Sequence, residues 1–245
     1  MTALPTRKLE AFRYADIDAL ASVWGDLAQP EIVEIAAQQR LQQIWLPNGE
    51  DVQVRRVAMT LHAGASATIF ALNTATRYGR IELDVTLHDG ADFAFDAANI
   101  GGSDATLEIV TILRHVEPNA TSRQTIRSVL GGKAAGSYLG KVAVSRGADG
   151  TDCVQSVKAM LLGRGATANA KPELEIYADD VKCAHGATVG ELDAEQLFYA
   201  AARGLDPAGA RALLLEGFVG GLWDGIDGDD LGIAELARAA LKAIA

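Results

Sequence analysis

The stretch Ile81–Asp92, IELDVTLHDGAD, decides the fold. Ile81, Leu83, Val85 and Leu87 alternate with Glu82, Asp84, Thr86 and His88. Successive side chains of an extended chain point to opposite faces, so this run is a strand with one apolar face. The alternation returns at Leu107 and Ile109 and again at Val142 and Val144. Between such runs a punctuation repeats: HAGAS at His62, HDGAD at His88, EPNAT at Glu117, RGADG at Arg146, RGATAN at Arg164 and AHGAT at Ala184. Gly-Ala pairs begin at Gly64, Gly90, Gly147, Gly165 and Gly186, and Asn119-Ala120 holds the equivalent place. The steps, in the high teens to high twenties of residues, match one coil of a solenoid. Each coil needs the next to bury its apolar face, and a small corner residue lets the backbone turn tightly. A β-sandwich gives similar alternation, so the repeat by itself gives the solenoid only a lead.

Working outward, the β character covers residues 51–190, between a mixed helical segment (1–50) and a helical C-terminal domain (191–245). Leu9, Phe12, Ile17 and Leu20 recur at helical spacing, so one or two short helices are expected there. Glu31–Gln39 reads as helix running into a strand over Arg40–Leu46, closed by the turn Pro47-Asn48-Gly49. Beyond Leu192, Asp193 is a helix N-cap with Gln196 as capping-box partner, and Gly204 is a stop. Asp206-Pro207 restarts a helix with apolar Leu213, Leu214 and Phe218. Asp229 or Asp230 caps a last one carrying Leu231, Leu236, Leu241 and Ile244.

The chain of 245 residues has a net charge of −10, which disfavours a nucleic-acid partner. It has no apolar run long enough to span a membrane, and its N-terminus lacks a signal pattern. A cytoplasmic home without membrane partners is the expectation. Two cysteines, Cys153 and Cys183, make no disulfide framework and are read as buried thiols or ligands.

The chemistry concentrates in Lys171–Gly190, KPELEIYADDVKCAHGATVG. Leu174 and Ile176 alternate with Glu173, Glu175 and Tyr177, then Asp179-Asp180 ends the alternation. Cys183 and His185 are two apart, so an extended backbone sends thiol and imidazole to one side. His185-Gly186 reads as the start of a turn. Thiolate and imidazole suit iron, zinc or an iron–sulfur cluster. Two donors are too few for either, even if Cys153, thirty residues back, stacks nearby, so a second subunit is expected to complete any site. The competing reading makes Cys183 a small core residue and His185 a turn residue. Glu173/Glu175 and Asp179/Asp180 read as solvated charges. His62, His88 and His115 lack metal-binding spacing and read as surface residues. Gly131-Gly132-Lys133 lacks the first glycine and the Ser/Thr of a P-loop, no GxGxxG or GxSxG is present, and no ATPase or hydrolase is expected.

The run ADDVKCAHGATVGELDAEQLFYAAARGL (Ala178–Leu205) closely resembles the C-terminal signature of the SufB/SufD family of iron–sulfur cluster assembly proteins. LPTRKLEAFRYADIDAL (Leu4–Leu20) looks like that family's opening segment, and HGATVG is similar to its SufD branch. The chain is shorter than typical members. The resemblance implies a right-handed parallel β-helix in a non-enzymatic scaffold subunit. It implies His185, and with it Cys183, as ligands of transient iron or an iron–sulfur cluster shared with a SufB-like paralogue, or with a second copy of the chain. It also implies docking of a SufC-type ATPase on Asp193–Phe218, through Glu195, Leu197, Phe198, Tyr199, Arg203, Arg211, Leu214 and Phe218. Adjacent Leu197, Phe198 and Tyr199 cannot share one helix face, which independently favours an interaction surface. The rivals are a metal-free structural solenoid and a carbohydrate-acting β-helix enzyme, the latter disfavoured by 6% aromatic content.

Overall fold

The computed structural model describes residues 3–228 and 232–244. Among them, twelve strands wind into a parallel β-helix of six coils, each coil giving one strand to each of two sheets. One sheet runs β1 (Glu31–Ile35), β3 (Val52–Leu61), β5 (Tyr78–Leu87), β7 (Thr106–His115), β9 (Ala135–Val144) and β11 (Thr167–Ile176). The other runs β2 (Arg40–Trp45), β4 (Ser66–Asn73), β6 (Asp92–Gly101), β8 (Thr121–Leu130), β10 (Asp152–Leu161) and β12 (Lys182–Gly190). Every pairing is parallel and in register, so like positions stack into columns.

The segment Glu31–Gln39 is therefore not a helix. Glu31–Ile35 pairs with Val57–Leu61, and Val33 and Ile35 join the interior, so the alternation of Ile/Val with Glu outweighs the following Ala-Gln run. The coils begin at Glu31. At one corner the backbone is left-handed in each of five coils, at Gln38, Gly64, Gly90, Asn119 and Gly150. Amides of successive corners bond to the next coil, for example Gly64 N–H to Asp89 O at 2.8 Å and Gly90 N–H to Pro118 O at 3.0 Å. Glycine and asparagine tolerate this conformation best, which is the physical origin of much of the punctuation. RGATAN belongs to the opposite corner, and AHGAT lies within β12.

Helices clothe the outer faces. Near the N-terminus a 3₁₀ turn (Glu10–Phe12), α1 (Ile17–Ala21) and α2 (Trp24–Leu27) pack Phe12, Ala19, Leu20 and Trp24 on Tyr78. A buried network pins them down. Arg80 donates to Glu108 at 3.1 Å, to Glu82 at 2.8 Å and to the Ala11 carbonyl at 2.8 Å, while Arg56 reaches the Leu27 and Ala28 carbonyls. Pairing both ions and hydrogen-bonding their remaining protons offsets the cost of removing these charges from water. On the other sheet, α4 (Pro207–Gly220) and α5 (Ile233–Ile244) bury Leu215, Val219, Ile233, Ala237 and Leu241 against Phe70, Leu72, Ile100 and Val129. Leu213 is 56% exposed, so the buried stripe of α4 is Ala210, Leu215 and Val219, with Leu213 outside it. Leu236, expected on the inner face of α5, is exposed. The expected caps Asp229 or Asp230, and Leu231, lie outside the described residues.

Candidate functional site

The interior changes character along the solenoid axis. Two columns run through the sheet that ends in β12: Gln43–Ile69–Phe95–Gln124–Gln155–His185 and Leu41–Ala67–Phe93–Ser122–Cys153–Cys183. Coils two and three place aliphatic and aromatic side chains there, and coils four and five place polar ones. Tyr138 organises the polar part. Its hydroxyl donates to Gln124 Oε1 at 3.1 Å and accepts from Gln155 Nε2 at 2.9 Å, with Thr111 Oγ1 3.3 Å away. The ring folds back over Gly140, where any Cβ would sit 2.0 Å from the hydroxyl, so only glycine fits. Burial pushes the Tyr138 phenol up to about 12. Nearby, His115 is fully buried and its Nε2 meets Ser122 Oγ at 2.9 Å. Desolvation holds this imidazole down to about 4, because no charged partner repays a buried cation. The surface position expected of His115 is thus incorrect; it shares the parity of Leu107, Ile109 and Leu113 and ends in the same interior.

The last coil continues these columns into solvent. β12 pairs with β10 on one side, and among the described residues nothing covers its other edge. Register places His185 over Gln155 and Cys183 over Cys153. His185 and Gly186 sit in mid-strand, so the expected turn there is also incorrect; residues 177–181 make the turn, with Asp180 O accepting from Gly150 N–H at 2.7 Å. Both side chains occupy the interior-facing position, yet His185 is exposed and Cys183 half-buried because, among the described residues, no further coil covers them. Ile176 (39% exposed) and Val189 (50%) belong to the same open end. Gln155 Oε1, beneath His185, is buried without a hydrogen-bond partner. Cys153 is 1% exposed. Burial pushes its thiol up, and the neighbouring Cys183 thiol adds to the shift.

The acidic pairs behave as surface charges. Glu175 pairs with Lys141, Glu173 with Lys171 at 3.2 Å, and Asp179 and Asp180 are exposed at the corner. Coil stacking brings together two histidines that sequence spacing keeps apart. The rings of His62 and His88 stack at 5.4 Å, with Glu34 3.0 Å from His62 Nε2 and Glu117 3.2 Å from His88 Nδ1. Among the described residues no group of three or more His, Cys, Asp or Glu side chains is arranged to hold a metal ion, and no helix is long and apolar enough to cross a membrane.

Past β12, Asp193 caps α3 (Ala194–Ala202) by accepting from the Glu195 and Gln196 amides, and Asp206 caps α4 through Gly209 N–H. Glu195, Phe198 (77% exposed), Tyr199 (61%) and Arg203 face outward. The remaining residues expected at a docking surface are partly withdrawn. Leu197 and Leu214 are half-buried, Phe218 packs on the core beside Arg127, and Arg211 reaches inward to the Leu162 carbonyl.

The class defined here is a helix-flanked parallel β-solenoid that carries soft donors at an unfinished end. The model of the SUF system FeS cluster assembly SufBD core domain matches residues 27–218, and the chain belongs to this family. It is 37% identical over 128 residues to the iron–sulfur cluster assembly protein SufD of Escherichia coli, covering 52% of this chain and 30% of that protein. It is 29% identical over 182 residues to the SufBD family protein slr0076 of Synechocystis, covering 73% and 40%. With ML0594 of Mycobacterium leprae, another SufBD family protein, identity is 30% over 201 residues, covering 77% and 50%. The matches span half or less of these relatives.

Proposed function

We propose that this chain is a SufD-like, non-catalytic subunit of a SufBCD-type scaffold on which an iron–sulfur cluster is built or its iron acquired. The observation that carries the reading is the place of Cys183 and His185: an interior column, left open at a strand edge. A parallel sheet edge with free N–H and C=O groups is a template for another strand. A SufB-like chain, or a second copy of this one, adds its own edge there and covers Ile176, Val189, Cys183 and His185. Iron or the nascent cluster is cargo, held by His185 and Cys183 together with donors from the partner. A donor set divided between two chains opens when one of them moves, which lets the cargo leave.

The motion comes from a SufC-type ATPase seated on α3 and the start of α4. Phe198 and Tyr199 offer exposed aromatic surface of the kind that anchors protein interfaces. α3 follows β12 directly and α4 follows α3, so displacement of the docked partner is transmitted to the strand bearing the donors.

The test is reconstitution of this chain with a SufB-like and a SufC-type protein, with iron and sulfide measured on the assembled complex. His185→Ala is expected to lower the cluster yield by about tenfold or more without dissolving the complex. Unchanged yield would establish a metal-free structural role instead. The isolated chain is expected to bind less than one cluster per molecule; a stoichiometric cluster on it refutes the shared site.

A further inference from the structure

Cys153 and Cys183 are direct register partners on adjacent parallel strands, with side chains on the same interior face. Neighbouring strands lie about 4.8 Å apart, within the Cα separation of roughly 4.4–6.8 Å that a disulfide spans. The two side chains pack into one interior cluster. They are otherwise unequal. Cys183 is half-buried at the open end, whereas Cys153 lies one coil deeper and is 1% exposed.

We propose that Cys153 and Cys183 form a reversible dithiol–disulfide site that reacts with small disulfides of the glutathione class, Cys183 as the entry thiol and Cys153 as the resolving one. The Cys183 thiolate attacks one sulfur of the small disulfide and expels its other half as a thiolate, which takes up a proton. Cys153 then gives up its proton and attacks the Cys183 sulfur, releasing the second small thiol. The net change is two protein thiols and one small disulfide converted to one protein disulfide and two small thiols. The order follows from access: a dissolved reagent reaches Cys183 through the open end, and the buried Cys153 is reached through Cys183. Column geometry lets the bond close without moving either strand out of register. Its consequence for assembly, which rests on the function proposed above, is that the disulfide withdraws Cys183 from the donor set until it is reduced. A docked partner shields the pair, so closure is confined to the unassembled chain.

The test uses the reduced chain of residues 1–245, alone, treated with oxidised glutathione and read by intact mass and peptide mapping. The expected product is about 2 Da lighter, carries no glutathione, links the peptides containing Cys153 and Cys183, and reverts with dithiothreitol. Cys153→Ser, with a circular dichroism spectrum like the parent's, is expected to retain a glutathione adduct on Cys183. A stable adduct on Cys183 of the unsubstituted chain, a disulfide-linked dimer, or two unreacted thiols would each overturn the proposal. The assay contains neither iron nor partner, so its failure leaves the reconstitution result above independent.

Discussion

Coil five and coil six of the solenoid are built to the same plan and meet opposite fates. β10 and β12 align residue for residue, as do β9 and β11. In coil five the inward positions Val142, Val144, Cys153, Gln155 and Val157 are buried. In coil six their register partners Leu174, Ile176, Cys183, His185 and Ala187 are half-buried or exposed. The side chains point the same way, and the difference is only whether another layer follows. A position that would be core in any other coil becomes a chemically available site in the last one. The polar network of Tyr138, Gln124 and Gln155 lies directly under that site, so polarity has been admitted to the interior before the end is reached.

The comparison is sharpest in aliphatic deletions along a single column. Leu113 is fully buried, and Val142 and Leu174 follow it in register. Leu113→Ala is expected to cost about 2–5 kcal/mol in urea unfolding. Leu174→Ala should cost less than about 1.5 kcal/mol in the free chain, and more once a partner covers coil six. Equal costs in the free chain would mean that the last coil is already closed.

Acid probes the enclosed imidazole. The His115 pKa falls from the ordinary 6.5 to about 4 on folding, so the unfolded chain binds the extra proton first. Stability is then fully present above pH ~6.5 and is lost as pH falls toward ~4, by roughly 3 kcal/mol in all. His115→Gln should flatten this slope in denaturant unfolding across the window; an unchanged slope would assign it to other groups.

Proline separates the two sides of β12. Lys182 N–H bonds to Thr151 O at 2.8 Å, so alternation turns the Thr188 amide toward β10 and the Ala187 amide toward the free edge. Thr188→Pro is expected to cost about 1–3 kcal/mol in the isolated chain by stranding a ladder acceptor. Ala187→Pro should be nearly silent there, because proline is tolerated where its missing donor faces solvent, yet it should weaken partner association measured by titration. The smallest effect belongs to His185→Ala, within about 0.5 kcal/mol of the parent in thermal or urea unfolding; a larger loss would make the imidazole a structural residue.

The winding was legible because alternation and corner residues are local. Ile81–Leu87 shows its buried face in four residues, and Gly64, Gly90 and Asn119 mark corners that need left-handed backbone. Column membership was not legible. The step between register partners is 26 residues from Glu31 to Val57 but 32 from Ala135 to Thr167, and a slip of one residue reverses every side chain. That is why the Gly-Ala of AHGAT resembled another corner while lying inside a strand. The proximity of Cys153 to Cys183 was within reach because their thirty-residue spacing falls inside this range. The stacking of His62 on His88 and the Arg80–Glu108 pair under the N-terminal helices depend on which strands become neighbours, and no local pattern announces either.

The account stands on β12 being an edge that a second chain completes. Hydrogen–deuterium exchange of the free chain, then of the chain with a SufB-like partner, measures this directly. Slow exchange over Val154–Ala159 in both states, with fast exchange at the edge-facing amides of Cys183, His185, Ala187 and Val189 that slows on association, is the predicted result. Exchange at these four amides that is already slow in the free chain, or that stays fast while protection develops elsewhere, would contradict it.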